Sequence, residues 1–270
     1  MNRYFILSLA RSGSNYLVSC LNSHPEAAAY GEVMGYHTLA YKIRESVKFG
    51  GNTYGEYLDF MYSSSVFYYA AQFYYLYSQL RAGKPVNFKY RHTLKAFGMK
   101  DFAYNFERLG IPDYLIENDI LVINLYRKNI FRRFISYTKL KETGVAAADS
   151  RASRANQDID KASSSKLVLN LDETLDALKL FEEELREQQD LANRIPKSRV
   201  FNICYEDLFS SPKAQEEITE ELFRFLGIAP LPVKGTHRKI LSNRFEDIIE
   251  NFEEIREGLV GTRFNEFLNN

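Results

Sequence analysis

The sequence predicts the α/β class: a central, mostly parallel sheet flanked by helices. Three observations predict it. Short β-branched or aromatic runs alternate with helical stretches along the 270 residues. One run, 119–126 (DILVINLY), is nearly all apolar, as suits a central parallel strand covered on both faces. The first run, 3–9 (RYFILSL), ends in a Gly/Ser turn that leads straight into a helical stretch, the start of a crossover connection.

The elements follow in chain order. After the first strand, 15–22 (NYLVSCLN) suits a helix with Leu17, Cys20 and Leu21 on one face, ended by His24-Pro25. A short second strand covers 27–30 and reaches Gly31-Glu32. Residues 36–82 are Tyr-rich and helical in pattern, and a third strand is expected at 85–89 (PVNFK). The apolar strand 119–126 is followed by a basic helix over about 130–142. Residues 144–166 are rich in Ala, Ser and Asp without periodicity, the pattern of a lid or a disordered segment. An amphipathic helix over about 172–194 carries Leu175, Leu178, Phe181, Leu185 and Leu191 on one side. A strand at 199–204 then enters Tyr205-Glu206-Asp207-Leu208, and Ser211-Pro212 opens a helix that Gly227 closes. With no repeat and no linker-like stretch, one domain over 1–270 is expected.

Composition excludes several classes. Thirty-five basic and 35 acidic residues cancel, so no global field draws the chain to nucleic acid or an anionic membrane, and any anion site is local. Cys20 and Cys204 are the only cysteines, too few for a disulfide scaffold and without zinc-ligand spacing. The apolar run of MNRYFILSLA is too brief for a signal peptide, and the Tyr-rich stretch 66–77 is too short to span a bilayer. A soluble, cytoplasmic protein is the expectation. Trp is absent while Tyr (19) and Phe (20) abound, giving apolar area with hydroxyl handles for a ring- or sugar-binding cleft.

The chemistry starts at Arg11-Ser12-Gly13-Ser14-Asn15. A strand running into a Gly/Ser loop and a helix gathers backbone N–H groups and a positive helix end around one point, and phosphate is the usual occupant. Gly13 permits the turn, Ser12 and Ser14 offer hydroxyls, and Arg11 a fixed charge. The nucleoside-triphosphate version, G-x-x-x-x-G-K-[ST], is not met, since Ser12-Gly13-Ser14 stands where Gly-Lys-Ser/Thr is required. The apolar strand also ends without the Asp that a metal-assisted phosphoryl transfer uses. A donor that needs no Mg²⁺ fits better. Arg127 falls at the end of that strand and Ser136 lies nine residues on, in the next helix, a pair suited to gripping a second phosphate. Basic residues at that helix start (Lys128, Arg132, Arg133) oppose its dipole, a mismatch that a bound anion would relieve.

Taken together these segments resemble the PAPS-dependent sulfotransferases, PAPS being 3′-phosphoadenosine 5′-phosphosulfate. LARSGSNYL looks like the family's 5′-phosphosulfate loop, LYRKNIFRRFISY like its 3′-phosphate motif, and FNICYEDLFSSP with FRFLGI like its recurring strand, corner and helix end. The similarity runs from residue 3 to about 260 and is nearest the bacterial carbohydrate-type branch (trehalose, lipopolysaccharide and nodulation-factor enzymes). Asn15 departs from the usual Ser/Thr, and the Arg127-to-Ser136 spacing is one longer than in the cytosolic animal enzymes.

The resemblance implies a P-loop-like three-layer fold, PAPS as co-substrate and 3′,5′-adenosine bisphosphate as product, with no metal. It implies that Arg11, Ser12, Gly13, Ser14, Asn15 and Tyr16 hold the 5′ end and that Arg127 and Ser136 hold the 3′-phosphate. Tyr205 would lie near the adenine, unless it is a core tyrosine. Lys89 would add charge at the sulfuryl group, unless it is a surface lysine. For the base that takes the acceptor's proton, Glu32 is preferred, just after the second strand on the edge that carries the loop, with His92 the rival. His24 caps a helix; His37 and His237 have no distinguishing context. The acceptor is a hydroxyl on a small molecule or glycan, with a carbohydrate or glycolipid implied, and 36–82 and 144–166 would shape its pocket. The alternatives are a Mg²⁺-dependent P-loop kinase and a sulfotransferase-like binding protein without catalysis.

Overall fold

The apolar run at the N-terminus forms β1 (Asn2–Ser8), whose residues from Tyr4 onward are buried. The computed structural model describes residues 1–81, 87–144, 148–149, 165–233, 237–238, 242 and 244–268. The chain falls into two compact units, Met1–Tyr126 with Glu187–Gly235, and Arg127–Arg186 with Thr236–Asn270.

The first unit holds a five-stranded sheet in the order β2-β3-β1-β4-β5, with β2 (Ala27–Glu32), β3 (Ala96–Phe102), β4 (Leu121–Tyr126) and β5 (Val200–Cys204). Every pairing is parallel, so all strands end on one edge. Parallel strands demand crossovers, and α1 (Ser14–Ser23) is the first of them. One face of the sheet packs on α1 and α10 (Pro212–Phe225), through Leu17, Cys20, Leu222 and Phe223. The other packs on α3 (Tyr54–Ser63), α5 (Tyr104–Arg108) and their neighbours, through Tyr57, Met61 and Phe106. This is the α/β class with helices on both faces of the sheet. The Tyr-rich stretch forms α2 (Leu39–Val47), α3 and α4 (Ser65–Arg81). Helix α6 (Tyr114–Glu117) precedes β4. Gly98 stands level with Tyr4, and a Cβ there would come within 2.2 Å of the Tyr4 ring, so the ring lies across a strand position that only glycine leaves open.

The third strand is the main correction. Of the expected strand 85–89, residues 85–86 lie outside the described residues and 87–89 have no regular structure; β3 is 96–102 instead. Its sequence, AFGMKDF, reads as polar because Lys100 and Asp101 sit in it, yet every residue of it is buried. Ser211 does cap α10, accepting from Ala214 N at 3.1 Å, with Pro212 in its first turn. Both cysteines are buried, and no disulfide joins them. No helix among the described residues is long and apolar enough to cross a membrane.

In the second unit, α7 (Ile130–Thr143), α8 (Leu171–Arg194) up to Arg186, and α11 (Phe252–Leu259) enclose Phe131, Phe134, Leu178, Phe181, Phe252 and Ile255. Most of the expected lid 144–166 lies outside the described residues. The short helix α9 (Tyr205–Leu208) belongs to the first unit.

Candidate functional site

The loop between β1 and α1 turns through two left-handed residues, Arg11 at φ 67° and Gly13 at φ 85°. Gly13 is the N-cap of α1 and gives no side-chain cap, and the first turn has no acidic residue, so the N–H groups there face the loop with the helix's positive end. A Cβ on Gly13 would stand 3.0 Å from Tyr205 Cδ2 and 3.1 Å from Phe209 Cε2. Tyr205 and Tyr16 each pack on Phe209, at ring separations of 4.6 and 5.0 Å, so Tyr205 lies directly against the loop. The Ser8 and Ser12 hydroxyls are buried without a hydrogen-bond partner. A buried hydroxyl left unpaired is costly, and an anion's oxygens would satisfy the one in the loop.

Beside the loop stands a group that sequence reasoning missed. Lys100, only 3% exposed, projects from β3 level with Glu32 of β2 and Ile6 of β1. Its amine donates to Glu32 Oε1 at 2.6 Å and to Asn15 Oδ1 at 3.1 Å. Glu32 Oε2 lies 2.8 Å from His37 Nε2, which gives His37 the context that its sequence neighbours do not. One lysine thus joins the first turn of α1 to the carboxylate at the end of β2. Asn15, the departure from Ser/Thr, is the side chain on which this amine rests. The signal was the register of β3: had the strand been placed at 96–102, Lys100 would have fallen beside Glu32.

β4 ends without an Asp, as its sequence reads, but β3, on the other side of β1, carries Asp101 next to its last residue. Asp101 is fully buried, and its oxygens accept from Val33 N at 2.8 Å, Met34 N at 2.5 Å, Phe102 N at 2.8 Å and Asn105 Nδ2 at 2.5 Å. Burial pushes its carboxyl above the ordinary carboxylate value, and these N–H donors pull it back. Its acceptor sites are used on the protein itself.

Glu32 also lines a cavity of about 490 Å³ between β2, α2 and α4, within the size range of small-molecule sites. The Tyr-rich stretch supplies two of its walls.

No family model and no curated protein matches the chain. Among solved structures it is similar to a sulfotransferase from Alicyclobacillus acidocaldarius, with a TM-score of 0.40 and 13% identity over 100% of this chain and 96% of that one. It is similar to the sulfotransferase domain of the Synechococcus PCC 7002 olefin synthase, with a TM-score of 0.40 and 17% identity over 84% and 74% of the two chains. The sulfotransferase domain from the curacin biosynthetic pathway gives a TM-score of 0.40 and 12% identity over 86% and 76%. At this distance the likenesses carry no argument about what the chain binds or transfers.

The remaining expected residues lie elsewhere. Lys89 sits by the start of β2, its amine donating to His24 O at 2.7 Å and Ala27 O at 2.5 Å. Ala27 is level with Ala96 and Asn2, the first residues of their strands, so Lys89 is at the edge opposite the loop. It is neither a surface lysine nor near the loop. His92 is exposed in the turn 91–93 before β3, at that same far edge, its ring 5.6 Å from the Tyr90 ring. His24 Nε2 lies 2.8 Å from Ala229 O and its Nδ1 accepts from Glu26 N at 3.1 Å.

In the second unit Arg127 follows the last residue of β4 and is buried, as is Ser136 in α7. The basic start of α7 has internal partners: Arg133 pairs with Glu184 and stacks 4.2 Å from the Phe181 ring, while Arg132 lies 4.2 Å from the Phe245 ring. These contacts hold the Arg132 and Arg133 side chains within the second unit.

Proposed function

We propose that the chain is a sulfotransferase, moving a sulfuryl group from 3′-phosphoadenosine 5′-phosphosulfate to the hydroxyl of an acceptor. One arrangement carries this reading: the Lys100 amine reaches both Asn15, in the helix turn behind the loop, and Glu32, on the cavity wall. A carboxylate thus stands one cation away from an anion loop, an order that lets an acceptor hydroxyl meet both a base and a donor.

The donor supplies the sulfuryl group: its sulfur–oxygen bond to phosphate breaks as the acceptor oxygen bonds to sulfur, and the electron pair leaves on the phosphate of 3′,5′-adenosine bisphosphate. Glu32 takes the hydroxyl proton. Lys100 and Arg11 offset the charge that grows on the leaving oxygen, and the Ser12 hydroxyl with the N–H groups of the α1 start holds the phosphate. Tyr205, against Gly13, borders the nucleotide. Arg127 and Ser136 are assigned to the 3′-phosphate. Asp101 argues against a Mg²⁺-dependent kinase, because its lone pairs are already taken.

Calorimetric titration with 3′,5′-adenosine bisphosphate and with Mg-ATP tests the donor. Tighter binding of the bisphosphate is expected, and a preference for Mg-ATP would sink the reading. Transfer from radiolabelled PAPS into fractionated extract, with mass identification of the product, then separates an enzyme from a binding protein.

A further inference from the structure

The cavity beside Glu32 has a chemistry of its own. It runs along the outer side of β2, the edge strand of the sheet, past residues 29–33. Small side chains open it: Ala29 from the strand, and Ala70 and Ala71 from α4. Gly31 lines it too, and a Cβ there would meet no atom within 4 Å, so the residue before Glu32 looks onto free space. At the mouth, Leu39 and Ile43 of α2 and Tyr74 and Tyr75 of α4 both line the cavity and are exposed.

Of the polar side chains in this wall, Asn22, Thr38, Lys89 and Gln72 are engaged with the protein, whereas the Tyr30 hydroxyl is buried without a hydrogen-bond partner. Asn22 uses both atoms of its amide on Ala29, donating to its carbonyl at 3.0 Å and accepting from its N–H at 2.8 Å. Thr38 donates to Gly35 O at 2.8 Å and accepts from Tyr41 N at 3.3 Å. Lys89 is spent on two backbone carbonyls, and Gln72 Oε1 accepts from Lys89 N at 3.4 Å. Glu32 is the charged group at the loop edge. A free sugar, with a hydroxyl on nearly every carbon, would leave most of them unpaired in such a space, and each unpaired buried hydroxyl is penalised. A hydrocarbon or aromatic body would not.

We infer that the acceptor is an alcohol or phenol with an apolar body, its hydroxyl at Glu32 and its hydrocarbon part between α2 and α4. The inference rests on the sulfotransferase reading for the direction in which the hydroxyl faces. A sugar hydroxyl qualifies only when an alkyl or aromatic part accompanies it.

The test uses the whole chain and two ligand sets: the primary alcohols from butanol to decanol, and glucose against octyl glucoside below its micelle-forming concentration. Binding is read by calorimetry with and without 3′,5′-adenosine bisphosphate, and transfer is read with radiolabelled PAPS. Affinity and kcat/KM are expected to rise about fourfold per methylene until the cavity is filled, with a negative heat-capacity change. Octyl glucoside is expected to surpass glucose at least tenfold. Gly31→Leu fills the space beside Glu32 and should weaken the alcohols at least tenfold while leaving bisphosphate affinity unchanged; Ala71→Phe repeats the test from the α4 wall. A flat alcohol series, equal binding of glucose and octyl glucoside, or unaltered alcohol affinity in both variants overturns the apolar acceptor and leaves the sulfotransferase standing. Alcohol binding by a chain that ignores the bisphosphate overturns the sulfotransferase and, with it, the placement of the hydroxyl.

Discussion

Two buried lysines stand at opposite ends of β2, and their partners set them apart. Lys89, at the start of the strand, gives its amine to two backbone carbonyls and has no carboxylate within its hydrogen bonds. Lys100, level with the strand's last residue, gives its amine to a carboxylate and to an amide beside the loop. Burial pulls the Lys89 amine from 10.5 down to about 8. A neutral amine still has two hydrogens, enough for both carbonyls, so Lys89 can give up its charge without giving up its bonds. Lys100 faces a group of opposite sign and stays in an ion pair. The difference teaches that burial alone does not mark a functional cation; the charge and freedom of its partners do.

The widest break between the two ends is expected in turnover. Glu32→Gln should lower kcat by about 10²–10⁴, the worth of a general base, while bisphosphate affinity in calorimetry stays the same. Near-normal turnover would remove Glu32 from its role. Lys100→Met should cost about 10²–10³ in kcat/KM, since it removes a donor aimed at growing negative charge, and it should also weaken bisphosphate binding. At the other end the effect falls on stability. Between pH 8 and 10.5 the unfolded chain keeps a proton that folded Lys89 has shed, so the stability linked to this group rises with pH across that window. The rise is about 3 kcal/mol in total, and denaturant titrations at several pH values should show that Lys89→Met loses the slope. Gly13→Ala forces an alanine to φ 85° with its Cβ 3.0 Å from the Tyr205 ring, and should cost about 1–2 kcal/mol in the same titrations. His92→Ala is expected to change turnover less than twofold, and a large loss would reverse the comparison.

What the sequence determined by itself was local. The apolar runs 3–9 and 119–126 read as buried strands because their side chains have no other place to go, and Ser211-Pro212 read as a helix start because capping is decided within one turn. The Arg11–Asn15 loop was legible for the same reason: strand, turn and helix are neighbours in the chain. Tertiary structure alone decided the rest of the candidate site. Lys100 and Asp101 break the apolar pattern of β3, since a polar residue in a strand is stable only when a distant partner satisfies it, here Glu32 and Asn15 for the one and the Val33 and Met34 N–H groups for the other. Lys89 was misjudged by the same rule, because its partners, His24 O and Ala27 O, are backbone atoms that carry no residue identity to read. A sequence displays what each side chain is; whether a buried charge is tied to the backbone or to a carboxylate follows only from which strands the fold sets side by side.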